Sequence, residues 1–170
     1  MCSQKDVSTG FWTVTFANNP DILHQAAELL KELVGEISGT TSEWTAKIMF
    51  QPVPTIFSKH SVEKGGNVLG LDRATENLVL LLLDVTWDTP EEEIIFRAAS
   101  EKMIAELAAY AGSVGGLNEF IYLDYADSTQ NPLRGYGEEN LQKLKRVSEK
   151  YDPDGVFQTA VPGGFKVSKA

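Results

Sequence analysis

The sequence predicts an α+β domain in which helices cover one face of a sheet. Segments rich in β-branched and aromatic residues alternate with segments whose apolar residues recur at helical spacing. The order is strand, helix, strand, an irregular connector, then strand, helix, strand, helix, which makes two βαβ-like units. No repeat or linker divides the 170 residues, so residues 1–170 are predicted to form a single domain.

The first half of the chain predicts a strand, a helix and a second strand. Residues 11–17 are rich in aromatic and β-branched residues and end at Asn18-Asn19-Pro20, a sequence that stops a strand. Asn19 can cap a helix whose first residue is Pro20. The apolar residues of this helix are Ile22, Leu23, Ala26, Leu29, Leu30, Leu33 and Ile37. Residues 44–51 predict the second strand, which is followed by two prolines.

The second half begins with a connector, residues 52–77, that is longer than an ordinary loop and is therefore expected to be functional or partly helical. Residues 78–87 are apolar on both faces at their start, which predicts a central strand. Thr89, followed by Pro90 and two glutamates, predicts a capped helix that runs to about residue 110. The residues expected to be buried on it are Ile94, Ile95, Ala98, Ile104, Leu107 and Ala108. A strand is predicted at 120–125. The last predicted helix, residues 138–151, carries Leu141, Leu144 and Val147 on one face.

Composition and charge argue against several classes of partner. The net charge of −9 would repel nucleic acid and anionic lipid, so neither is expected as a partner. The longest apolar run, residues 78–83, is far shorter than the ~20 residues that cross a bilayer. The one cysteine, Cys2, can build neither a disulfide framework nor a Cys-based metal site, and two histidines without spaced carboxylates give no metal signal. No secretory signal is visible, so a cytoplasmic location is the default expectation.

Three motifs follow one another in residues 118–166. They are Tyr122-Leu123-Asp124-Tyr125, Tyr136-Gly137-Glu138-Glu139-Asn140 and Tyr151-Asp152-Pro153-Asp154-Gly155-Val156-Phe157. This segment resembles the C-terminal part of FAD-linked oxidoreductases of the berberine-bridge-enzyme type, in which Tyr-x-Asn-Tyr precedes Tyr-Gly-x-x-Asn and Tyr-Asp-Pro-x-x-Val-Phe. The resemblance extends more weakly over most of the chain. It implies that residues 8–117 form an antiparallel sheet like the substrate domain of the vanillyl-alcohol-oxidase fold, and that residues 118–166 return to the flavin.

The resemblance does not include a flavin-binding domain. In the family, an N-terminal domain holds FAD with a glycine-rich pyrophosphate loop and, often, covalent His and Cys anchors; Cys2 is not in a matching context. Residues 65–70 superficially resemble a phosphate loop, but they do not open a predicted helix and lack the Lys-Ser/Thr pair. The expectation is therefore that the protein binds no cofactor. FAD is expected only under the alternative that the chain is the C-terminal portion or an accessory subunit of an FAD-dependent oxidoreductase.

The candidate catalytic residues are Asp124, Tyr122 and His60. On a strand, Phe120, Tyr122 and Asp124 would share a face, and Ile121, Leu123 and Tyr125 would point the other way. In the resembling enzymes the first of these faces looks toward flavin and substrate. Asp124 replaces the family's asparagine, and a carboxylate that loses solvation beside aromatic rings has a raised pKa suited to acid–base chemistry. The alternative is that Asp124 only caps or hydrogen-bonds a neighbouring loop. Asp127 is expected to order the turn at residues 128–132. His60 is the one plausible imidazole acid–base group.

These residues predict a flavin-independent isomerase or cyclase that acts on a small hydrophobic, natural-product-like molecule through proton transfer. By the resemblance, the loop around Asn67 lies beside the substrate pocket. The aromatic residues are numerous enough to line such a pocket, although core packing explains each of them equally well. The predicted substrate-binding residues are Phe120, Trp12, Trp44 and Asn67. A homodimer is also expected, because a sheet that has lost a covering domain exposes apolar surface.

Overall fold

The computed structural model describes residues 7–170, and Cys2 lies outside the described residues. Within that range an antiparallel sheet has the strand order β2-β3-β1-β4. The strands are β1 (Ser8–Ala17), β2 (Trp44–Val53), β3 (Leu78–Trp87) and β4 (Leu117–Asn118). β3 pairs with β1 on one side and β2 on the other, which confirms the predicted central strand. β1 and β2 are thus parallel, with β3 between them. β3 and β4 are likewise parallel, with β1 between them. This is the interleaved, split βαβ arrangement of ferredoxin-like folds. The predicted α+β class, with an antiparallel sheet, is confirmed.

Two long helices cover one face of the sheet. They are α1 (Pro20–Ile37) and α3 (Glu93–Ser113). As predicted, Asn19 caps α1, since its side-chain oxygen accepts a hydrogen bond from the backbone N–H of Asp21 at 2.8 Å. The first core lies between these helices and the sheet; its larger members are Trp12, Phe16, Ile22, Leu29, Leu33, Leu81, Leu83, Trp87, Phe96, Met103 and Leu107.

The buried face of α3 differs from the prediction. Ile94 and Ile95 are 80% and 46% exposed, and Ala98 is also exposed, so their predicted burial is wrong. The chain begins this region with a 3₁₀ turn, Pro90–Glu92, whose three residues per turn change the helical phase. Phe96 then stacks on Trp87, with ring centroids 5.4 Å apart, and sets the buried stripe that includes the correctly predicted Ile104 and Leu107.

The predicted strand over residues 120–125 is absent. Only Leu117–Asn118 pairs with β1, and the Asn118 side chain then accepts a hydrogen bond from the N–H of Phe120 at 2.9 Å. In a longer β4, Phe120 would lie opposite Thr13, but the Gln130 side chain occupies that edge. Its Nε2 donates to the Thr13 carbonyl at 2.7 Å and its Oε1 accepts from the Thr13 N–H at 3.1 Å. The chain therefore leaves the sheet and forms a 3₁₀ turn, Leu123–Tyr125. The prediction that Phe120, Tyr122 and Asp124 share a strand face is wrong.

The second face of the sheet is covered by residues 119–170. This segment contains α4 (Pro132–Gly135), α5 (Glu138–Tyr151) and α6 (Val156–Thr159). The second core lies beneath it and comprises Leu80, Phe120, Leu133, Tyr136 and Leu141. Leu144 packs against this core, whereas Val147 is 47% exposed, contrary to the predicted apolar face of α5.

The connector, residues 52–77, is partly helical, which is one of the two expectations stated for it. It contains α2 (Thr55–Glu63), which has no buried side chain, and a 3₁₀ turn, Leu71–Arg73. Leu69 and Leu71 pack against the second core. The connector therefore reaches the same layer as residues 119–170. None of the helices found in residues 7–170 has the length and apolar character needed to cross a membrane.

Candidate functional site

A cluster of aromatic rings lies over the second face of the sheet, with Tyr122 at its centre. Phe120 is buried, and its ring lies against those of Tyr122 and Tyr136, with centroid separations of 6.5 Å and 6.1 Å. Tyr122 meets Tyr125 edge to face, with centroids 4.9 Å apart. Such contacts stabilise aromatic pairs beyond the area that they bury. The cluster therefore holds Tyr122 in a fixed orientation.

Tyr122 and Asp124 form a hydrogen-bonded pair. The Tyr122 hydroxyl donates to Oδ2 of Asp124 at 2.8 Å. The 3₁₀ turn that begins after Tyr122 curls the chain back, which brings the two side chains together. Asp124 is exposed, so the loss of solvation that the sequence predicted for it does not occur. Its hydrogen bond goes to Tyr122 rather than to a neighbouring loop.

Both central phenols are held in their neutral form. The hydrogen bond to Asp124 raises the pKa of Tyr122 above its ordinary value, and burial adds to the effect. Burial raises the pKa of Tyr136, with a smaller contribution from the negative charge of Asp124. Near neutral pH, Tyr122 is therefore a positioned O–H donor that is linked to a solvated carboxylate. The Tyr122 hydroxyl has one proton, which it donates to Asp124. Its oxygen can therefore accept a hydrogen bond from a substrate hydroxyl or N–H, and the pair can take up that proton as Tyr122 passes its own proton to Asp124.

Tyr125 connects this cluster to the sheet. Its hydroxyl accepts a hydrogen bond from Nε2 of Gln51 on β2 at 3.2 Å, and its ring lies edge-on to Phe11 on β1 at 6.2 Å. Tyr125 was predicted to point away from Tyr122 and Asp124. The turn instead places Tyr122 and Tyr125, three residues apart, side by side, because residues i and i+3 eclipse in a 3₁₀ helix.

Arg73 fixes the segment that carries the cluster. From the connector, its Nη2 donates to the carbonyl of Gly135 at 2.8 Å, its Nε to the carbonyl of Gly70 at 3.2 Å, and its Nη1 to Glu119 at 3.3 Å. Beside this contact lies an open cavity of about 540 Å³. Its lining includes Arg73, Glu119, Ile121, Arg134 and Glu138. Arg73 was not among the predicted site residues, because neither its spacing nor its neighbours indicate this role.

The remaining predicted site residues lie elsewhere. Trp12 is 1% exposed in the first core, with the Arg97 guanidinium 5.5 Å from its ring, and Trp44 packs against the same core. Asn67 lies in the connector, where it donates to Ser61 at 2.7 Å and helps to line a cavity of about 240 Å³. His60 is exposed on α2, with its Nδ1 3.1 Å from Glu63. The structure thus brings Phe120, Tyr122 and Asp124 together, but places both tryptophans on the opposite face of the sheet.

Asp127 orders the turn that follows the site, as the sequence predicted. Its Oδ1 accepts hydrogen bonds from the backbone N–H and the hydroxyl of Thr129 at 2.9 and 2.8 Å, and both of its oxygens lie 2.8 Å from Nη2 of Arg97. Burial acts to raise the pKa of Asp127, but the hydrogen bonds from Thr129 and the charge of Arg97 outweigh it and hold the pKa below its ordinary value. Asp127 therefore has a structural role in holding the 127–131 turn.

The chain is similar to proteins named as FAD-dependent monooxygenases. It is 39% identical over 161 residues to "FAD-dependent monooxygenase drtC" of Aspergillus calidoustus, an alignment that covers 94% of this chain and 31% of that protein. It is 42% identical over 160 residues to "FAD-dependent monooxygenase sdcF" of Emericella nidulans, covering 93% and 33%. It is 29% identical over 161 residues to "FAD-dependent monooxygenase FUP4" of Fusarium proliferatum, covering 92% and 31%. The chain spans about a third of the length of these relatives. No family model matches it, and no solved structure matches it.

The pyrophosphate of FAD requires backbone N–H groups at a glycine-rich turn that opens a helix. Gly65 and Gly66 donate backbone hydrogen bonds to the end of α2, so this turn closes a helix instead of opening one. Gly137 does open α5, whose first turn has no side-chain cap, but Glu138 and Glu139 place negative charge where a pyrophosphate would lie. The described residues therefore do not fit the pyrophosphate. They also contain no cluster of three or more His, Cys, Asp or Glu side chains that could hold a metal ion.

Proposed function

We propose that this chain is the substrate-facing part of an FAD-dependent oxidoreductase of the berberine-bridge-enzyme type. The observation that carries the proposal is the Tyr122–Asp124 hydrogen bond, set in an aromatic cluster. The similarity to FAD-dependent monooxygenases over more than nine tenths of the chain supports the redox class. In this proposal, the chain corresponds to the C-terminal portion of such an enzyme.

The aromatic cluster defines the class of substrate. Tyr122 and Tyr125 are partly exposed and present ring faces and edges, which favour a flat, largely apolar organic molecule. The Tyr122 oxygen accepts a hydrogen bond from a hydroxyl or N–H of this substrate, and Tyr122 passes its own proton to Asp124 as it takes up the substrate proton. Asp124 accepts the Tyr122 hydrogen bond and, because it is exposed, exchanges protons with water.

The redox chemistry belongs to a flavin held by polypeptide other than the described residues, either in the same chain or in a partner. The described residues contribute substrate binding and proton transfer, and no step of the flavin chemistry is assigned to them.

A second candidate is the flavin-independent isomerase or cyclase predicted from the sequence. The observation that favours it is the poor fit of residues 7–170 to a pyrophosphate. The same Tyr122–Asp124 pair would then move a proton without any net oxidation. Both candidates share a small hydrophobic substrate and differ in their requirement for FAD. The homodimer stays a prediction.

The decisive experiment replaces the aligned third of drtC with this chain and assays the reaction of drtC in the chimera. Flavin absorbance that persists after desalting reports that the chimera folds and binds FAD. We expect Tyr122→Phe and Asp124→Asn each to lower turnover by ~10²–10⁴ while flavin binding is retained, because each removes part of the proton path. Tyr151→Phe is the matched control, since Tyr151 is 73% exposed and lies outside the cluster.

Full activity in both Tyr122→Phe and Asp124→Asn chimeras would contradict the assigned roles. The chain alone, incubated with FAD and desalted, is expected to retain no stoichiometric flavin. Stoichiometric retention would show that the chain itself holds the cofactor. Isomerisation or cyclisation of a substrate by the flavin-free chain would favour the second candidate.

A further inference from the structure

The strand at one end of the sheet has an open edge. In the order β2-β3-β1-β4, β2 pairs with β3 on one side, and no strand of residues 7–170 lies on its other side. β2 is ten residues long and pairs with β3 in one unbroken register from Trp44 to Val53. It is therefore a long, regular edge strand without a bulge, which natural proteins seldom leave uncovered.

The register of the sheet shows which backbone groups of β2 face outward. On β1, the N–H and the carbonyl of Thr13 point away from β3, because both bond to the Gln130 side chain. In antiparallel pairs, opposite residues that exchange hydrogen bonds alternate with opposite residues that do not. Across the register from β1 to β3 and on to β2, the even-numbered residues of β2 therefore direct their backbone groups outward. These residues are Trp44, Ala46, Ile48, Phe50 and Pro52.

The outward groups of β2 are suited to binding an extended polypeptide strand. Pro52 agrees with the assignment, since proline has no N–H and occurs in sheets at edge positions where that group would face away from the neighbouring strand. Ahead of it, Ala46, Ile48 and Phe50 each present an N–H and a carbonyl. No hydrogen bond from residues 7–170 reaches these outward groups. Main-chain groups in this arrangement recognise another strand by adding it to the sheet.

The side chains of β2 are complementary to those of a second copy of the same strand. Two copies can run antiparallel around a two-fold axis at Ile48. Ala46 then lies opposite Phe50 of the second copy, so a small side chain meets a ring that is 41% exposed. Trp44 lies opposite Pro52, whose missing N–H falls at the end of the paired segment. Because Trp44, Ala46 and Ile48 pack against the first core, the pairing continues that core from one copy to the other.

Charge and proline select this register over its neighbours. With the axis at Ile48, Lys47 lies opposite Met49 of the second copy, so no like charges meet. An axis at Lys47 would place the two lysines directly opposite each other, which is destabilising. An axis at Met49 would place Pro52 opposite Ala46, inside the paired segment, where the missing N–H removes a ladder hydrogen bond.

We propose that β2 pairs with β2 of a second copy of this chain, antiparallel and centred on Ile48, so that two four-stranded sheets form one continuous sheet. The interface is the edge of the sheet and not the face that carries the Tyr122–Asp124 pair. The paired segment is about 30 Å long, and an interface of this kind is at the small end of specific ones. We therefore expect a dissociation constant of roughly 1–100 µM. The proposal holds whether or not the protein acts with a flavin.

The experiment is sedimentation velocity of the whole chain over a concentration series from about 1 to 500 µM, in reducing buffer so that Cys2 cannot link two copies. We expect a concentration-dependent equilibrium between monomer and dimer. Ala46→Pro removes an outward N–H and leaves the ladder to β3 intact, so it should raise the dissociation constant at least ~10-fold. Thr9→Pro is the matched control, because Thr9 has an outward backbone on the opposite side of the sheet. It should leave the dissociation constant unchanged.

Met49 tests the register and does not depend on the proline variants. Met49 is 40% exposed and lies opposite Lys47 of the second copy. Met49→Glu should therefore tighten the dimer, and Met49→Lys should weaken it. Each change acts at two symmetric pairs, so we expect the dissociation constant to move by about 2- to 30-fold. Circular dichroism checks that each variant is folded.

The proposal is overturned if the unmodified chain stays monomeric throughout the series, a result that leaves the edge to a strand of another polypeptide. It is equally overturned if Ala46→Pro dimerises as tightly as the unmodified chain, or if Thr9→Pro prevents dimerisation. If Ala46→Pro fails to fold, the two Met49 variants decide, and the proposal fails unless they move the dissociation constant in opposite directions as stated.

Discussion

Substituting alanine for Gly135 perturbs the close approach of two backbone segments that carry the candidate site. A β-carbon at position 135 would lie 2.1 Å from the carbonyl oxygen of Glu119 and 3.1 Å from its carbonyl carbon. Both atoms belong to the backbone, so neither can rotate away as a side chain would. α4 must therefore move away from Glu119 by roughly 1 Å or more to restore an ordinary contact.

The cost of Gly135→Ala has two parts. Overpacking in a well-packed region costs about 1–3 kcal/mol. The displacement also breaks the hydrogen bond from Arg73 to the Gly135 carbonyl, which contributes about 1 kcal/mol. We therefore expect the free energy of unfolding to fall by roughly 2–4 kcal/mol.

Urea denaturation followed by circular dichroism measures this change. Gly112→Ala is the matched control: it lies in α3, where the nearest atom to an added β-carbon is Cδ2 of Leu117 at 3.9 Å. Alanine is the better helix former, so this control should raise the free energy of unfolding by about 0.5–1 kcal/mol. If Gly135→Ala unfolds at the same urea concentration as the unmodified protein, the close approach of Gly135 to the Glu119 backbone does not hold residues 119–170 in place.

Two further predictions concern titration. Asp124→Asn should lower the pKa of Tyr122 toward the ordinary value for tyrosine, because the hydrogen bond to the Asp124 carboxylate is the main cause of its rise; an NMR titration of labelled tyrosine rings measures it, and an unchanged pKa would refute this cause. Asp127 has a lowered pKa in the folded protein, so its stabilisation is present above the unfolded value of about 3.9 and is lost as the pH falls through the folded value. Asp127→Asn should therefore destabilise the protein at neutral pH, by roughly 1–3 kcal/mol, and much less in strong acid. Denaturation of the variant and the unmodified protein at neutral pH and in strong acid tests this prediction. An equal loss of the free energy of unfolding under both conditions would count against it.

The pairing of Tyr122 with Asp124 shows how a correct expectation can rest on an incorrect structure. The sequence placed the two residues together because alternate residues of a strand share a face. The structure places them together through a 3₁₀ turn, with the Tyr122 hydroxyl 2.8 Å from Asp124. The same turn reverses the expectation for Tyr125, which packs against Tyr122 instead of pointing away from it.

The sequence by itself determined the elements whose formation depends on local pattern. Local pattern was sufficient to predict α1 from its apolar spacing and its Asn19 cap, and β3 from its continuous apolar start. Each of these features depends on neighbours within a few residues. Tertiary structure decided the rest. Whether residues 119–125 continue β4 depends on Gln130, which occupies the edge of β1 at Thr13, 117 residues away in the chain. The layer that carries Tyr122 depends likewise on Arg73 reaching Gly135, 62 residues away. Such contacts carry no periodic signal, because they are selected by the fit of distant segments in the folded chain.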